Sequence, residues 1–400
     1  MLRLLTFSDL YPNTARPRHG IFVEQRLRKL VETGRVTASV VAPVPWSLAS
    51  LPTFGRTTEL PIDDIRHGLK VAYPRFPVVP RMSNWVNPIS MALASLPAIQ
   101  RLRAEETDFD IIDAHFFYPA GVAAALLGSW LRKPVVITAR GSDINLHTRF
   151  RVQRAWIRWA ANHSAALVTV SSALRVALAD IGVPISRITV VQNGVDLEKF
   201  RLRDRGSLRA QFGWSRPTIL SVGNLVPEKG HDLIIRALPE LTDANLVIVG
   251  GGPEEDKLRK LASECQVESR VTWIPYLHQE ELAEYYAAAD ATVLGSSREG
   301  MPNVLLESLA CGTRVIATNV GGIPEIVSDE RAGVLLDERS SAGLIDAYRR
   351  LTSAPIDASA TRLFAERFGW AARIATLEAL LERVKANGSS RGSAARAVGP

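Results

Sequence analysis

The sequence predicts an α/β protein built from two doubly wound domains, each with a parallel sheet. Short apolar runs alternate with longer helical patterns along the chain, which is typical of βαβ units. The chain has 400 residues, which is too long for one ordinary core. It suits two domains of about 150–200 residues each.

The predicted strands fall into two series. Those of the first half are Leu2–Phe7, Val36–Ala42, Leu69–Tyr73, Ile111–Ala114, Val135–Thr138, Ala166–Val170 and Ile188–Val191. Those of the second series are Thr218–Val222, Leu246–Gly250, Val271–Ile274, Ala291–Leu294 and Arg314–Ala317. Between the series, Asn193-Gly194 predicts a turn and the charged run after it predicts a linker. Each series can therefore form its own doubly wound sheet.

From this pattern we expect a first domain at 1–196, a linker at 197–212 and a second domain at 213–365. Phe364–Lys385 is rich in Ala, Leu, Glu and Arg, and the part at 366–385 is expected to be a helix that packs back on the first domain. The composition of 386–400 is that of a flexible tail. Ligands of open parallel sheets bind beyond the carboxyl ends of the strands, so the chemistry is expected in a cleft between the domains.

Composition excludes several classes of protein. No apolar run reaches the roughly 18 residues of a transmembrane helix, and the first residues are too soon interrupted for a signal peptide. The two cysteines, Cys265 and Cys311, imply no disulfide framework and fit a reducing cytoplasm. Without paired CxxC motifs or HExxH, no built-in zinc site is expected.

Charge is uneven along the chain. Residues 1–200 hold 24 basic and 15 acidic side chains, a balance of +9, whereas residues 201–400 hold 24 and 26, a balance of −2. A basic first half indicates either an anionic partner, such as a membrane surface or a phosphorylated acceptor, or simply a solvated surface. Nucleic acid is not expected as a partner.

The segment RFRVQRAWIRWAANHS adds to this charge pattern. Helical spacing places Val152, Trp156 and Trp159 on one stripe, with Arg151, Arg154 and Arg158 beside it. Arginines next to large aromatic rings suit an anionic membrane or a lipid-phosphate acceptor. The alternative is a tryptophan stripe packed inward beside solvated arginines.

The segment GSSREGMPNVLLESLACG carries the first candidate site. Gly295 ends a strand, Pro302 suits the start of a helix at Asn303–Ala310, and Glu299 and Glu307 flank that start. The N-terminus of a helix favours an anion, and carboxylates accept hydrogen bonds from sugar hydroxyls. On the residues alone, a helix entry with a loop glutamate and a surface glutamate is the favoured interpretation.

A second segment, ILSVGNLVPEKGHDLIIRAL, ends a strand at Val222 and leads through a turn into a helix. Lys229 at the entrance of that helix can neutralise a diphosphate as a point charge. By itself this is weak, because a lysine at a loop tip is common.

Together these segments resemble the retaining family-4 glycosyltransferases of the GT-B fold. Glu299 and Glu307 stand at the spacing of that family's EX7E motif. The phrases SDLYPNTARPRHGIFVEQ, NGVD, VPEKG, VGGGP and GGIPEIV match it in order, so the likeness covers roughly residues 1–370.

The resemblance implies roles for individual residues. Glu307 would bind the ribose hydroxyls, Glu299 the transferred sugar, and Lys229 the diphosphate as it leaves. Other donor contacts are implied for Gly20, Gly223, Asn224, Tyr276, Gly300, Met301, Asn303 and Val304. No metal or other cofactor is expected, since the nucleotide-sugar is the substrate.

The sequence departs from the family at two positions. Asn224 stands where the family usually has an arginine, so half of the Arg–Lys diphosphate clamp is missing or supplied elsewhere. Arg140, in TARGSDIN, stands where many relatives have a histidine. Since arginine cannot act as a base near neutral pH, we hypothesise that Arg140 holds a phosphate instead.

Two other polar residues follow strands of the first domain. His115 is a candidate catalytic residue or a structural histidine, and Asp143 is a candidate for orienting an acceptor hydroxyl. In this family retention is thought to proceed by front-face attack, so a dedicated protein base is not required.

Three motifs are set aside. Gly250-Gly251-Gly252-Pro253 lacks the spacing of a dinucleotide fingerprint. Asp108-Phe109-Asp110 imitates a DxD metal site but precedes a strand. Ser171-Ser172 has no nucleophile context.

The leading hypothesis is therefore a cytoplasmic transferase, or one at the inner face of the plasma membrane, moving sugar from a UDP- or GDP-sugar to a glycan or lipid-linked acceptor. Alternatives are a sugar-nucleotide 2-epimerase on the same fold and a degenerate, non-catalytic scaffold subunit.

Overall fold

The computed structural model describes residues 1–46, 60–78, 83–105 and 108–397. The chain divides into two compact units: unit 1 is Met1–Val191 with Ala371–Pro400, and unit 2 is Gln192–Trp370. Unit 2 begins before the predicted boundary at 196, because Asn193 and Val195 already make their contacts inside it. Whether these units fold as independent domains stays a prediction.

Unit 1 is an α/β unit. Its strands are β1 (Leu2–Phe7), β2 (Val36–Val41), β3 (Val44–Trp46), β4 (Asp63–Arg66), β5 (Leu69–Ala72), β6 (Arg75–Pro77), β7 (Ile111–His115), β8 (Val135–Ala139), β9 (Ala166–Thr169) and β10 (Ile188–Val190). Its helices before residue 191 are α1 (Ile21–Val31), α2 (Ser83–Glu105), α3 (Val122–Leu131), α4 (Ser142–Asn145), α5 (Arg151–His163) and α6 (Ser172–Asp180).

The described strands of unit 1 form an eight-stranded sheet in the order β10-β9-β8-β7-β1-β2-β5-β4, and β3 pairs with β6 separately. Strand pairs are parallel except β4 with β5, which is antiparallel. β1 and β7 are buried over nearly their whole length, as strands covered by helices on both faces should be. The sheet therefore brings the carboxyl ends of β1, β7, β8 and β9 to one edge.

Unit 2 is a second parallel α/β unit. Its strands are β11 (Thr218–Val222), β12 (Asn245–Val249), β13 (Val271–Ile274), β14 (Ala291–Leu294), β15 (Val315–Thr318) and β16 (Gly333–Leu336). Its helices are α7 (Arg205–Phe212), α8 (His231–Ala237), α9 (Glu255–Glu264), α10 (Gln279–Ala288), α11 (Asn303–Ala310), α12 (Ile323–Ile326), α13 (Ser341–Ser353) and α14 (Ala358–Glu366). The sheet order in its described residues is β13-β12-β11-β14-β15-β16, so β11 and β14 are neighbours.

The segment after α14 differs from the prediction. A single helix was expected over Phe364–Lys385 with a flexible tail at 386–400. Instead, α14 ends at Glu366, Gly369 forms a bridge with Val195, and α15 runs over Trp370–Ala397. Gly369 interrupts the predicted helix. The helix then continues to Ala397 although residues 386–397 include Gly388 and Gly392, so the composition that predicted a tail did not decide the outcome; residues 398–400 lie outside the described residues.

Helix α15 is held against the earlier part of unit 1 by polar contacts. Lys385 Nζ lies 2.8 Å from the carboxylate of Asp110, and Glu378 accepts a hydrogen bond from Thr33 at 2.6 Å and pairs with Arg35. Among the described residues, no helix has the length and apolarity needed to cross a membrane.

Candidate functional site

Two loops of unit 2 meet where the neighbouring strands β11 and β14 end. The first loop passes through a 3₁₀ turn at Pro227–Lys229, and the second starts at Gly295. They touch through backbone: Gly230 has φ +71°, and a Cβ there would lie 2.1 Å from Gly295 O. Ser297 N donates to Glu228 O at 2.8 Å. This contact demands glycine at 230, because both the backbone angle and the space exclude a side chain.

The contact between the loops brings Lys229 to Glu299. Lys229 Nζ lies 2.6 Å from Glu299 Oε1, which also accepts a hydrogen bond from Ser296 Oγ at 2.7 Å. The lysine side chain is 27% exposed and the glutamate side chain 11%. A charged pair half-shielded from water at the carboxyl edge of a parallel sheet is a suitable place for a polar, anionic ligand.

The glycine pair of GGIPEIV supports this arrangement. Gly321 has φ +54°, and a Cβ there would lie 2.0 Å from Glu299 O. Gly322 N donates to Gly300 O at 3.0 Å. The backbone that carries Glu299 and Gly300 is thus held by Gly321, where a side chain would not fit, and by the hydrogen bond from Gly322 N.

Helix α11 starts directly after this loop, as predicted. Pro302 precedes its first residue, so one of the N–H groups that a helix start leaves unpaired is absent there. Asn193 Nδ2 donates to Met301 O and to Asn303 Oδ1, each at 2.9 Å, which fixes the entry to the helix. Met301 is buried, whereas Asn303 and Val304 of the first turn are half-buried.

Glu307 lies one turn further along α11 and is only 8% exposed. Tyr286 Oη donates a hydrogen bond to Glu307 Oε2 at 3.1 Å. Burial raises the pKa of the Glu307 carboxyl to about 7, opposed by the Tyr286 hydrogen bond and by the charge of Lys199. A buried carboxyl whose pKa lies near neutrality is typical of a functional site.

The loop after β11 is also held from within. His231 is buried between Ser221 Oγ, 2.9 Å from its Nδ1, and Asn224 O, 3.3 Å from its Nε2. Burial lowers the pKa of His231 to about 4, so the ring is neutral and ties the loop to β11. Tyr276 Oη lies 3.2 Å from Asn224 Oδ1 and 3.1 Å from Gly251 O, while its side chain is exposed.

The motifs set aside are structural in the described residues. A Cβ on Gly250 would lie 2.0 Å from Gly223 O, so this glycine and Gly223 serve close packing of two loops. Asp108 and Asp110 pair with Lys133 and Arg3. Ser171 accepts a hydrogen bond from Leu174 N at 3.3 Å, as the N-cap of α6.

Three of the predicted residues of unit 1 lie together where β7 and β8 end. Arg140 Nη2 lies 2.8 Å from His115 Nδ1, and the Arg140 guanidinium lies 5.3 Å from the ring centre of Phe22. Asp143 Oδ2 accepts from Phe117 N at 2.7 Å, and its Oδ1 accepts from Gly141 N at 2.8 Å. Burial raises the pKa of Asp143, and these backbone donors hold its carboxyl in the loop.

Gly20 lies apart from that group in sequence, at the N-terminus of α1. It has φ +75°, and a Cβ there would lie 2.1 Å from Leu10 O. The glycine is therefore needed for packing inside the β1–α1 loop; its predicted approach to phosphates is untested.

Sequence reasoning missed several residues of these sites. Asn193 was assigned only to a turn, and Ser296, Tyr286 and His231 were not singled out. Asp9, just after β1, was also missed: burial raises its pKa to about 7, and its Oδ1 accepts no hydrogen bond from the part of the chain that is described. These residues carry no motif of their own, because their roles follow from which strand ends lie side by side.

Known proteins resemble this chain in sequence. A model described as Glycosyl transferases group 1 matches residues 204–367, and one described as Glycosyltransferase Family 4 matches residues 51–199. The putative teichuronic acid biosynthesis glycosyltransferase TuaC of Bacillus subtilis is 28% identical over 360 residues, covering 87% of this chain and 89% of that protein. A GDP-mannose-dependent alpha-(1-6)-phosphatidylinositol monomannoside mannosyltransferase of Mycolicibacterium smegmatis is 30% identical over 292 residues, covering 68% and 76%.

Solved structures are similar in fold. Sucrose-phosphate synthase from Thermosynechococcus elongatus matches with a TM-score of 0.77 at 19% identity, covering 97% of this chain and 100% of that one. Anabaena Alr3699/HepE in complex with UDP matches with a TM-score of 0.72 at 20% identity, covering 96% and 100%. The predicted class, two Rossmann-like α/β domains of the GT-B fold, is confirmed, and it is a fold of glycosyltransferases.

Within that class, the chain belongs to glycosyltransferase family 4. The family membership predicted from the ordered motifs is therefore confirmed.

Proposed function

We propose that this protein is a retaining hexosyltransferase that moves a sugar from a UDP- or GDP-sugar to a glycan or lipid-linked acceptor. Its products would belong to a cell-surface polysaccharide or glycoconjugate. The observation that carries the proposal is the Lys229–Glu299 pair beside the start of α11, with Glu307 one turn further on. The names of two relatives, one for teichuronic acid and one for a phosphatidylinositol mannoside, support the acceptor class.

The donor fits this arrangement group by group. The N-terminus of α11 and the ammonium of Lys229 favour the negative diphosphate. Glu299 accepts hydrogen bonds from hydroxyls of the sugar, and Glu307 accepts them from the ribose. The exposed ring of Tyr276, beside Gly251, is placed to lie along the base.

Transfer with retention needs little acid–base chemistry from the protein. The anomeric carbon–oxygen bond to the diphosphate breaks, and the acceptor oxygen bonds to the same face of that carbon. The acceptor proton passes to the departing phosphate oxygen. Lys229 stabilises the negative charge that develops on the leaving group, and Arg140 is proposed to hold a phosphate group of a substrate. The reaction would thus proceed without a metal ion.

The acceptor side is proposed to lie in unit 1. Asp143 was the predicted residue for orienting an acceptor hydroxyl, but both of its oxygens already accept backbone hydrogen bonds. Asp9 has an oxygen that accepts none among the described residues, so it is the better candidate for that hydroxyl.

A membrane face in unit 1 would bring a lipid-linked acceptor near. Residues 83–100 of α2 contain no charged side chain, and Trp85, Ile89 and Leu93 form an exposed stripe spaced by one helical turn. Helix α5 packs against α2, and its arginines 151, 154 and 158 are exposed while Trp156 and Trp159 are half-buried. An apolar stripe beside arginines suits the anionic inner face of the plasma membrane.

Donor binding and turnover test the enzyme proposal. A nucleotide that binds the folded state should raise the melting temperature by mass action, so UDP, GDP and their sugars are compared first. Radiolabelled sugar from the stabilising donor is then followed, with the anomeric configuration of the product read by NMR. Lys229→Ala should lower turnover at least 100-fold, whereas Lys257→Ala, an exposed lysine of the same unit, should not.

Each of the other outcomes would support a different function for this protein. Binding without transfer or hydrolysis would favour the scaffold, release of a C2 epimer would favour the epimerase, and an inverted anomer would refute retention. Membrane attachment is tested by sedimentation with anionic vesicles: wild type should pellet and Trp85→Glu/Leu93→Glu should not. Leu363→Glu, an exposed leucine of unit 2, is the control, and wild type left in solution would refute the membrane face.

A further inference from the structure

Polar side chains cluster inside unit 1, on one face of the sheet. Asp113 and His115 of β7 and Thr138 of β8 are each at most 1% exposed, and Arg140, just beyond β8, is 8% exposed. Side chains two residues apart point to the same face of a strand, and His115 pairs in register with Thr138. The alternation of the two strands therefore places all four on that face, where Arg26 from α1 joins them.

Hydrogen bonds connect the side chains of the cluster to one another. Arg26 Nη2 donates to Asp113 at 3.0 and 3.2 Å, and Arg26 Nη1 donates to Thr138 Oγ1 at 3.0 Å. His115 Nε2 lies 3.2 Å from Asp113 Oδ2, and His115 Nδ1 lies 2.8 Å from Arg140 Nη2.

These partners decide the tautomer of His115. A guanidinium can only donate, so Nδ1 must be the nitrogen without a proton and must accept from Arg140. The proton is then on Nε2 and is donated to the carboxylate of Asp113. Both ring nitrogens of His115 are therefore engaged by protein groups.

The charges around the ring keep it neutral. Burial lowers the pKa of His115 to about 3; Asp113 opposes this, and Arg26 and Arg140 add to it. A second proton on the ring would have to occupy Nδ1, where it would face the Arg140 guanidinium and break their hydrogen bond. His115 is thus unsuited to accept a proton from a substrate.

We infer that Arg26, Asp113 and His115 are positioning residues that hold the guanidinium of Arg140, and that Arg140 is the group of this cluster that contacts an anionic substrate. The functional part of this inference rests on the proposed transferase activity, since the anion would be a phosphate group of one of its substrates. Arg140 lies at the carboxyl edge of the sheet, where ligands of such folds bind. Its guanidinium is oriented by Nδ1 on one side and by the ring of Phe22.

Burying two guanidinium groups around one carboxylate is costly for the fold. Asp113 accepts hydrogen bonds from Arg26 and attracts Arg140 by its charge, and Asp143, the other carboxylate near Arg140, is held by backbone donors. Apolar residues of similar volume often stabilise a buried position equally well or better. Such an arrangement is typical of a site where a fixed cation serves function.

Two substitutions at His115 separate positioning from proton transfer. In His115→Asn the amide oxygen stands near the place of Nδ1 and can accept from Arg140, although the side chain cannot titrate. We expect His115→Ala to lower sugar transfer or hydrolysis at least 100-fold, and His115→Asn to be at least tenfold more active than His115→Ala. Equal loss in both variants would overturn the inference, because it would show that the imidazole itself is needed.

The tautomer is measured on the wild-type chain, without any substrate. Long-range proton–nitrogen NMR of histidine-labelled protein should show His115 with Nδ1 unprotonated and Nε2 protonated throughout pH 5.5–8. Asp113→Asn should keep the proton on Nε2, because the amide oxygen can still accept it and Nδ1 still faces the guanidinium of Arg140. A proton on Nδ1, or titration of the ring in that range, would overturn the inference even if every variant folded poorly.

Failure of the proposed function looks different. If neither UDP nor GDP nor their sugars bind or turn over, the transferase proposal fails, while the NMR result still decides how His115 and Arg140 are held. If transfer occurs and Arg140→Ala leaves kcat and the KM of each substrate within twofold of wild type, the role of Arg140 is refuted and the transferase proposal stands.

Discussion

Gly230 and Gly213 offer a matched pair of substitutions in unit 2. Their backbones are nearly identical, with φ, ψ of 71°, 30° at Gly230 and 68°, 27° at Gly213. They differ in surroundings: a Cβ at Gly230 would lie 2.1 Å from Gly295 O, whereas a Cβ at Gly213 would meet nothing within 4 Å. Alanine at either position therefore introduces the same backbone strain, and only alanine at position 230 also introduces a steric clash.

The expected magnitudes follow from that difference. Alanine in the left-handed region costs about 1–2 kcal/mol, offset by about 0.4–1 kcal/mol from the stiffer unfolded chain. Gly213→Ala should thus lower the free energy of unfolding by at most ~1.5 kcal/mol. Gly230→Ala must also separate two loops by about 1 Å, which adds roughly 1–3 kcal/mol.

Activity should separate the two variants further. The displaced loops carry Lys229 and Glu299, and a misplacement of about 1 Å in a catalytic site can lower turnover 100-fold. Unfolding free energies are read from urea titration of the full chain, with hydrogen exchange of β11 peptides to assign the transition to unit 2. If Gly230→Ala matches Gly213→Ala in both stability and donor turnover, the loop contact does not hold the site.

Further predictions concern titratable groups. Glu307→Gln should stabilise the ligand-free protein at pH 8, where the buried carboxylate is ionised despite its raised pKa, and should not stabilise it at pH 5. Nucleotide binding should fall at both pH values. An equal stability change at both pH values would refute the assignment of the raised pKa to Glu307. The hydrogen bonds from Arg3 and Lys385 outweigh burial and hold the pKa of Asp110 well below its usual range, so its stabilisation is present above about pH 4 and is lost as pH falls further. Asp110→Asn should therefore lower the unfolding free energy at pH 7 by ~1 kcal/mol and by less at pH 3, as measured by urea titration. Asp9→Asn should raise the acceptor KM and leave the donor KM unchanged, and a raised donor KM would contradict an acceptor role.

Much of the fold was predictable because its strands are buried on both faces. β1 (LRLLTF) and β11 (TILSV) are mostly apolar and almost wholly buried, and sequence analysis placed both with the ends that the structure has. The missed strands lack that signal. β4 (Asp63–Arg66) is a charged edge strand whose burial alternates, and β16 begins at a glycine that packs against Val315.

The candidate site was predictable only where the chain itself carries the chemistry. Glu299, Glu307 and Lys229 stood out because they occur in ordered motifs, and the structure brings Lys229 and Glu299 into contact. The partner of Glu307 is Tyr286, on another helix, and no local pattern indicates that pairing. His115 and Arg140 were each proposed, but their mutual hydrogen bond depends on the register of β7 with β8.

The return of the chain to unit 1 has a consequence for biosynthesis. Unit 2 is one uninterrupted stretch, whereas unit 1 is completed only by α15, roughly 180 residues after Val191. At about 5–20 residues per second, a ribosome needs roughly 10–40 s to make the intervening chain. A nascent chain that ends at Trp370 thus contains all of unit 2. In that chain Arg35 and Asp110 of unit 1 cannot yet form their ion pairs with Glu378 and Lys385.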